Sequence, residues 1–352
     1  MTNSDTKRVL IIKLGAIGDI VMSLSMLEAI KEKYGGAEIV WISGKASAPI
    51  LNSLSEIKHL FVIDDSALLK GNLISRLKVL MTVWKKLFLK RFDLIVIPYR
   101  DKRYRLLALT ARGEVQRDFM GKDHLNSIIP GRYHGDEYRK LIDGKDDRQM
   151  KHAVLPKIKL SNNDKTDALI EGSTHPRIIL APGGSKNLLA DDMLRRWPVE
   201  YYKELCLRLT ESGMNVILIG ADTDKWVEDE FKELLENNSG IINLIGKTSI
   251  LDLISLFDRS DILVTHDTGS LQMAKLSSVT PIALFGPVNP KERIGENENV
   301  RVLWGGRTLA CSPCYDGKNF AKCDNNICMK DISVDSVLQL INETINKNIQ
   351  VQ

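Results

Sequence analysis

Residues 261–290, DILVTHDTGSLQMAKLSSVTPIALFGPVNP, limit the possible folds more than any other stretch, because they spell strand, tight turn, helix and strand in succession. Ile262, Leu263 and Val264 form a short apolar β run, which Asp267-Thr268-Gly269 breaks. Ser270 to Leu276 has helical character, and Pro281 to Phe285 is a second β run closed by Gly286-Pro287. In an open parallel sheet, loops at the carboxyl ends of strands line the ligand crevice. A helix that opens after Asp-Thr-Gly presents unpaired backbone N–H groups and a positive dipole end, which suits a phosphate. Thr268 and Ser270 add hydroxyl donors, and Asp267 sets a carboxylate at the mouth. An Asp that merely N-caps an ordinary crossover helix has the same local pattern.

The same alternation runs through the chain. Arg8 to Lys13 (RVLIIK) reads as a strand buried on both faces. Leu14 to Asp19 then leads into a helical pattern from Ile20 to Tyr34, stopped by Gly35-Gly36. Asp19 falls at the strand-to-helix turn beside Gly18, where a helix cap and a site carboxylate share one signature. Residues 38–43 and 57–63 are further strands, and 93–98 (DLIVIP) a fourth. Strand alternating with helix argues an α/β protein with Rossmann-like parallel sheets. A second series begins at Arg177 to Ala181. Its turns are Pro182-Gly183-Gly184-Ser185-Lys186, Gly246-Lys247-Thr248-Ser249 and the Asp267 loop. At 352 residues, and about 150 per domain, two domains are expected: 1–165 and 166–332, with a C-terminal helix over 333–352 that could pack back on the first. The polar stretch 143–152 reads as exposed loop, and 159–176 as the hinge.

Charge is uneven. Leu69 to Phe92 reads as one long helix with Leu73, Leu77, Leu80, Val83, Trp84, Leu87 and Phe88 on its apolar face and no acidic residue. Such a helix either packs on a sheet or lies on an anionic membrane surface. After the fourth strand come Lys102, Arg103 and Arg105, which suit an anionic small molecule or a lipid phosphate. A short basic stretch and a net charge of only +4 argue against nucleic acid. No apolar run reaches the about 18 residues of a spanning helix, and no secretory signal opens the chain, so a cytoplasmic location is expected.

Four of the five cysteines cluster as Cys311-x2-Cys314-x8-Cys323-x4-Cys328. In a reducing compartment this set reads as free thiols or as a structural Zn or Fe site.

Several of these motifs together resemble glycosyltransferase family 9, the ADP-heptose:lipopolysaccharide heptosyltransferases. They are KLGAIGDIVMSLSML, RRWP, NLIGKTSILDL, VTHDTG, ALFGPVNP, C-x-P-C and CMKDISV, in that order along nearly the whole chain. The resemblance implies a GT-B fold, with an acceptor domain first and a donor domain second, and inverting transfer that needs no cofactor. Asp19 matches the family's Gly-Asp carboxylate, implying a general base. Arg195 stands where the family carries Lys before Trp-Pro, implying a counter-charge for the diphosphate. Asp267, Thr268, Gly269 and Ser270 match the donor loop, and Gly183, Ser185, Gly246, Lys247 and Thr248 fall beside it. Gly18, Lys102, Arg103 and Arg105 would hold the acceptor. Gln272 occupies a position where the family usually carries His. The implied partners are ADP-heptose and an anionic glycolipid or glycan at the inner face of the bacterial inner membrane. Two other classes fit the same motifs: a GT-B enzyme with another nucleotide sugar or a protein acceptor, and a non-catalytic nucleotide-sugar or metal-binding module.

Overall fold

A computed structural model describes residues 6–146, 152–160, 164–185, 191–296, 298–316 and 319–351. The chain divides into two compact units, 1–156 with 295–297, and 157–294 with 298–352.

The first unit is built on β1 (Lys7–Ile12), β2 (Ala37–Gly44), β3 (Ile57–Ile63), β4 (Arg91–Ile97) and β5 (Arg112–Asp118), in the order β3-β2-β1-β4-β5. All four pairings are parallel. Central β1 is covered on both faces, and Val9 to Ile12 have no exposed surface. Its two neighbours, β2 and β4, connect in opposite directions through the sequence. The carboxyl ends of β1 and β4 therefore mark the point where the strand order reverses, the usual position of a ligand crevice.

The second unit repeats this plan with β6 (Arg177–Ala181), β7 (Asn215–Leu218), β8 (Ile241–Asn243), β9 (Ile262–His266), β10 (Thr280–Phe285) and β11 (Arg301–Trp304). Their order is β11-β10-β9-β6-β7-β8, again all parallel. Its reversal lies between β6 and β9. The last helix, Val334–Val351, buries Val334, Val337 and Ile341 in this unit's core beside Trp197.

Several sequence expectations change. The long helix over 69–92 divides into Asp65–Leu69 and Leu73–Leu87, because Asn72 caps a new start by accepting from the Ser75 N–H at 2.9 Å. It ends early because Arg91 is already in β4, paired with Arg112. Of its expected apolar face only Val83 and Leu87 are buried, while Leu73 is 81% exposed. β5, RGEVQRD, has no apolar run, since an edge strand is ordered by backbone pairing rather than by its side chains. The polar helix His134–Asp143 was likewise illegible. It buries Glu137 and Lys140, with Lys140 donating to Glu137 at 2.6 Å and to the carbonyls of His124 and Ser127. The expected hinge contains a helix, Asp164–Leu169, and Ile158 N–H donates to the Leu276 carbonyl, which ties this segment to the second unit. Half of the loop expected over 143–152, residues 147–151, lies outside the described residues, as does Lys186.

Candidate functional site

In the first unit, β1 delivers Lys13 to the reversal point and the helix Ile17–Ser23 carries Asp19 in its first turn. Lys13 Nζ and Asp19 Oδ2 pair at 3.1 Å, with the lysine side chain 1% exposed and the carboxylate 34% exposed. The ammonium also lies 4.7 Å from the Tyr99 ring centroid and 5.4 Å from that of Tyr138, so aromatic faces share the stabilisation of the buried charge. Tyr99 comes from the end of β4 and stacks at 4.6 Å on Tyr104. Burial pushes the Tyr104 phenol well above its usual range, so it stays protonated. The arrangement presents one carboxylate to solvent, oriented from behind by a buried cation. Sequence reasoning passed over Lys13; the signal was a charge ending an otherwise apolar strand.

The residues expected to bind the acceptor lie on the next turn. Asp101 caps the helix Lys102–Leu107 by accepting from the Arg103 N–H at 2.8 Å. Arg103 Nε donates to Asp101 at 2.9 Å, and its guanidinium also donates to the Leu69 carbonyl at 2.7 Å. Arg105 makes two bonds to Asp118, of 2.8 and 2.9 Å. Two of the three expected cations are thus oriented by carboxylates of their own unit, and Lys102 is exposed.

In the second unit, the loops after β6 and β9 meet because these strands are neighbours. Gly183 has no room for a side chain: a Cβ there would lie 2.5 Å from Asp224 Cγ. Gly184 adopts φ +86°, in the left-handed region open to glycine, and its N–H donates to Asp224 Oδ1 at 2.8 Å. Asp224 also accepts from Ala221 N–H at 2.8 Å, so one carboxylate knits the glycine loop to the end of β7. Asp224 falls beyond β7 with no motif to mark this role. Gly246 joins the same edge, its N–H donating to the Gly220 carbonyl at 2.9 Å. Lys247 donates to the Asn243 carbonyl at 2.9 Å, and Ser249 caps the next helix through its Asp252 capping box. Thr248 sits between them, partly exposed.

Asp267 is 6% exposed on its side chain and lies between two arginines. Arg195 Nη1 donates to the Asp267 carbonyl at 3.2 Å and to its Oδ2 at 3.3 Å, and also pairs with Asp192 through Nη2. Arg293 Nε lies 3.6 Å from Asp267 Oδ2. Burial opposes the charge on Arg195, but Asp267 and Asp192 outweigh it and hold its pKa above the usual value. Behind this cluster, His266 Nδ1 meets the Tyr202 hydroxyl at 3.2 Å. Burial, then Arg195 and Arg196, push His266 down to about 3, so its imidazole is neutral. Thr268 opens the helix Gly269–Ala274, its hydroxyl 3.2 Å from that of Thr265, with Ser270 in the first turn. Ser185, at φ +60°, buries a hydroxyl that has no partner among the described residues. Gln272 donates to the Arg293 carbonyl at 3.2 Å, and Lys275, paired with Glu298 at 2.9 Å, donates to the same carbonyl. Arg293 was absent from the sequence reading, since it lies 26 residues beyond Asp267 with no motif around it. The result is a cationic, donor-rich loop cluster whose one central carboxylate is already neutralised.

A metal centre, one of the two readings of these cysteines, is not assembled among the described residues. Among the described residues no three His, Cys, Asp or Glu side chains are placed to hold an ion. Cys323 Sγ accepts from the Asn326 N–H at 3.2 Å, and Cys328 Sγ donates to Asn326 Oδ1 at 3.5 Å. Burial, then the neighbouring thiols Cys314 and Cys323, push Cys328 up to about 11. Cys311 and Cys323 are exposed free thiols.

A family model described as glycosyltransferase family 9 (heptosyltransferase) matches residues 130–323. The lipopolysaccharide core heptosyltransferase OpsX of Haemophilus influenzae is 23% identical over 294 residues, covering 81% of this chain and 80% of that one. The solved structure of the Escherichia coli ADP-heptose lipopolysaccharide heptosyltransferase II superposes with a TM-score of 0.73 at 19% identity, covering 97% of this chain and 99% of the other. That of the E. coli heptosyltransferase WaaC with ADP-2-deoxy-2-fluoro heptose gives 0.67 at 18%, covering 96% and 99%.

Proposed function

This chain belongs to glycosyltransferase family 9, and from that premise we propose that it transfers a heptose from ADP-heptose to an anionic inner-core lipopolysaccharide acceptor, with inversion. It is a glycosyltransferase of two parallel-sheet α/β domains, and its relatives act as lipopolysaccharide heptosyltransferases. The observation that carries the donor side is the Arg195–Asp267 pair at the β6/β9 reversal.

In this reading, Asp19 takes the proton from the attacking acceptor hydroxyl as the oxygen bonds to the anomeric carbon. Lys13 fixes the carboxylate. The bond from that carbon to the diphosphate oxygen breaks, and the leaving group is an anion that needs no general acid. It needs positive charge and N–H donors instead. Arg195 supplies the charge, with the N–H groups of Thr268, Gly269 and Ser270 and the hydroxyl of Ser185 beside it. Asp267 holds Arg195 in place and accepts from the donor sugar. Gly183, Gly246, Lys247 and Thr248 line the nucleoside side. Gly18 and Lys102, with Arg103 and Arg105 oriented by Asp101 and Asp118, receive the acceptor.

A thermal-shift panel with ADP, GDP, UDP and CMP tests the donor reading. Ligand at about a hundred times its Kd stabilises a native protein by about 2.7 kcal/mol. A response selective for ADP is expected, followed by transfer from ADP-heptose to lipopolysaccharide core. A response to UDP or GDP alone discards ADP-heptose as the donor.

A further inference from the structure

The helix Leu73–Leu87 leaves much of its apolar surface on the outside. Leu73 and Ile74 are 81% and 77% exposed, and Leu77 and Met81 about half exposed. Residues 73, 77 and 81 recur every four positions, so they form one stripe along the helix. The stripe continues beyond this element. Trp84 Nε1 donates to the Leu106 carbonyl at 2.7 Å, the Thr110 hydroxyl donates to the Trp84 carbonyl at 3.0 Å, and Leu89 N–H donates to the Thr110 carbonyl. These bonds bring exposed Phe88, Leu89, Leu106 and Leu109 alongside it. Exposed apolar side chains gathered in this way mark a docking surface rather than ordinary exposure.

Charge identifies what covers it. Residues 69–92 contain seven Lys and Arg and no acidic residue. Lys78 and Lys85 flank the stripe, with Lys70 and Lys90 near its two ends, and all four are exposed. A second copy of this face would set these cations against one another. Apolar side chains ringed by lysines match a bilayer instead, with acyl chains for the leucines and anionic headgroups for the lysines. The patch also lies by the site edge of its own unit: Arg103 and Arg76 both donate to the Leu69 carbonyl, just ahead of Leu73. No described helix is long and apolar enough to cross a membrane, so this contact is with the surface.

We propose that the exposed face of Leu73–Leu87, with Leu106 and Leu109, docks this protein on an anionic lipid bilayer. The proposal does not depend on the sugar transferred. Its test is co-sedimentation of the full chain with vesicles of phosphatidylcholine alone or mixed with phosphatidylglycerol, at low and high salt. Binding to the anionic vesicles that weakens at high salt is expected. Leu73→Ser combined with Ile74→Ser, and separately Lys78→Glu combined with Lys85→Glu, should each lower the vesicle-bound ratio by about tenfold or more. These side chains lie outside the core, so the melting temperature and transfer to a lipid-free acceptor fragment should stay at wild-type values. Wild-type protein that ignores anionic vesicles, or variants that bind them as wild type does, would overturn it. So would a wild-type dimer in sedimentation velocity that Leu73→Ser with Ile74→Ser dissociates, since the face would then be a seam between copies.

Discussion

The two units share a strand order and a reversal point but fill that point with opposite charge. In the first, buried Lys13 steadies a carboxylate that solvent reaches, Asp19. In the second, a buried carboxylate, Asp267, steadies Arg195 and faces Arg293. One scaffold thus offers a proton acceptor in one place and a counter-charge for an anion in another. The topology supplies the location, and the sign of the buried partner sets the chemistry. A side chain held from behind by a buried opposite charge is oriented without being used up, which is the preorganisation that catalysis rewards.

Three substitutions test this contrast. The largest effect is expected at Asp19. Asp19→Asn should cut turnover about a thousandfold, the usual scale for losing a general base, while its melting temperature and ADP response stay near wild type. Strong residual transfer would remove Asp19 from the base role. Asp267→Asn should behave in the opposite sense. It leaves partly buried Arg195 and buried Arg293 without their shared partner, and breaking a buried pair costs about 3 kcal/mol or more. Urea unfolding reads this directly, and a variant as stable as wild type would place Asp267 in ligand binding alone.

The smallest effect concerns His266, behind Arg195. Its folded pKa of about 3 lies below the ordinary 6.5. Between these values the unfolded chain binds a proton that the folded chain refuses. Its contribution to stability is therefore complete above pH 6.5 and is lost as the pH falls toward 3, at up to about 1.4 kcal/mol per pH unit. His266→Gln should flatten that slope relative to wild type in unfolding measured across the window. An unchanged slope would mean that other groups carry the acid sensitivity.

Much of this was legible in the sequence. Apolar runs such as VLII and ILV announce buried strands, and the polar breaks after them, at Asp19, Gly183, Gly246 and Asp267, announce strand-end loops. Parallel pairing and two sheets follow, because such strands must be covered on both faces by the helices between them. Family membership was equally legible, from motifs in fixed order. What the sequence could not rank was which polar residues do work inside the fold. Arg103 and Arg105 look like an open basic patch until Asp101 and Asp118 are placed against them. The cysteines read as free thiols or a metal set, and among the described residues no three ligands are placed to hold an ion. Leu73 and Leu77 look like core until the helix is seen to turn them outward.

Sequence by itself determined the alternation of strand and helix, the two sheets and the strand-end position of the candidate site residues, because these depend on local pattern and on burial of continuous apolar runs. Only the tertiary structure decided that Lys13 backs Asp19, that Arg195 and Arg293 share Asp267, and which face of Leu73–Leu87 meets solvent. Those are contacts between residues distant along the chain or on different elements, and no local spacing encodes them.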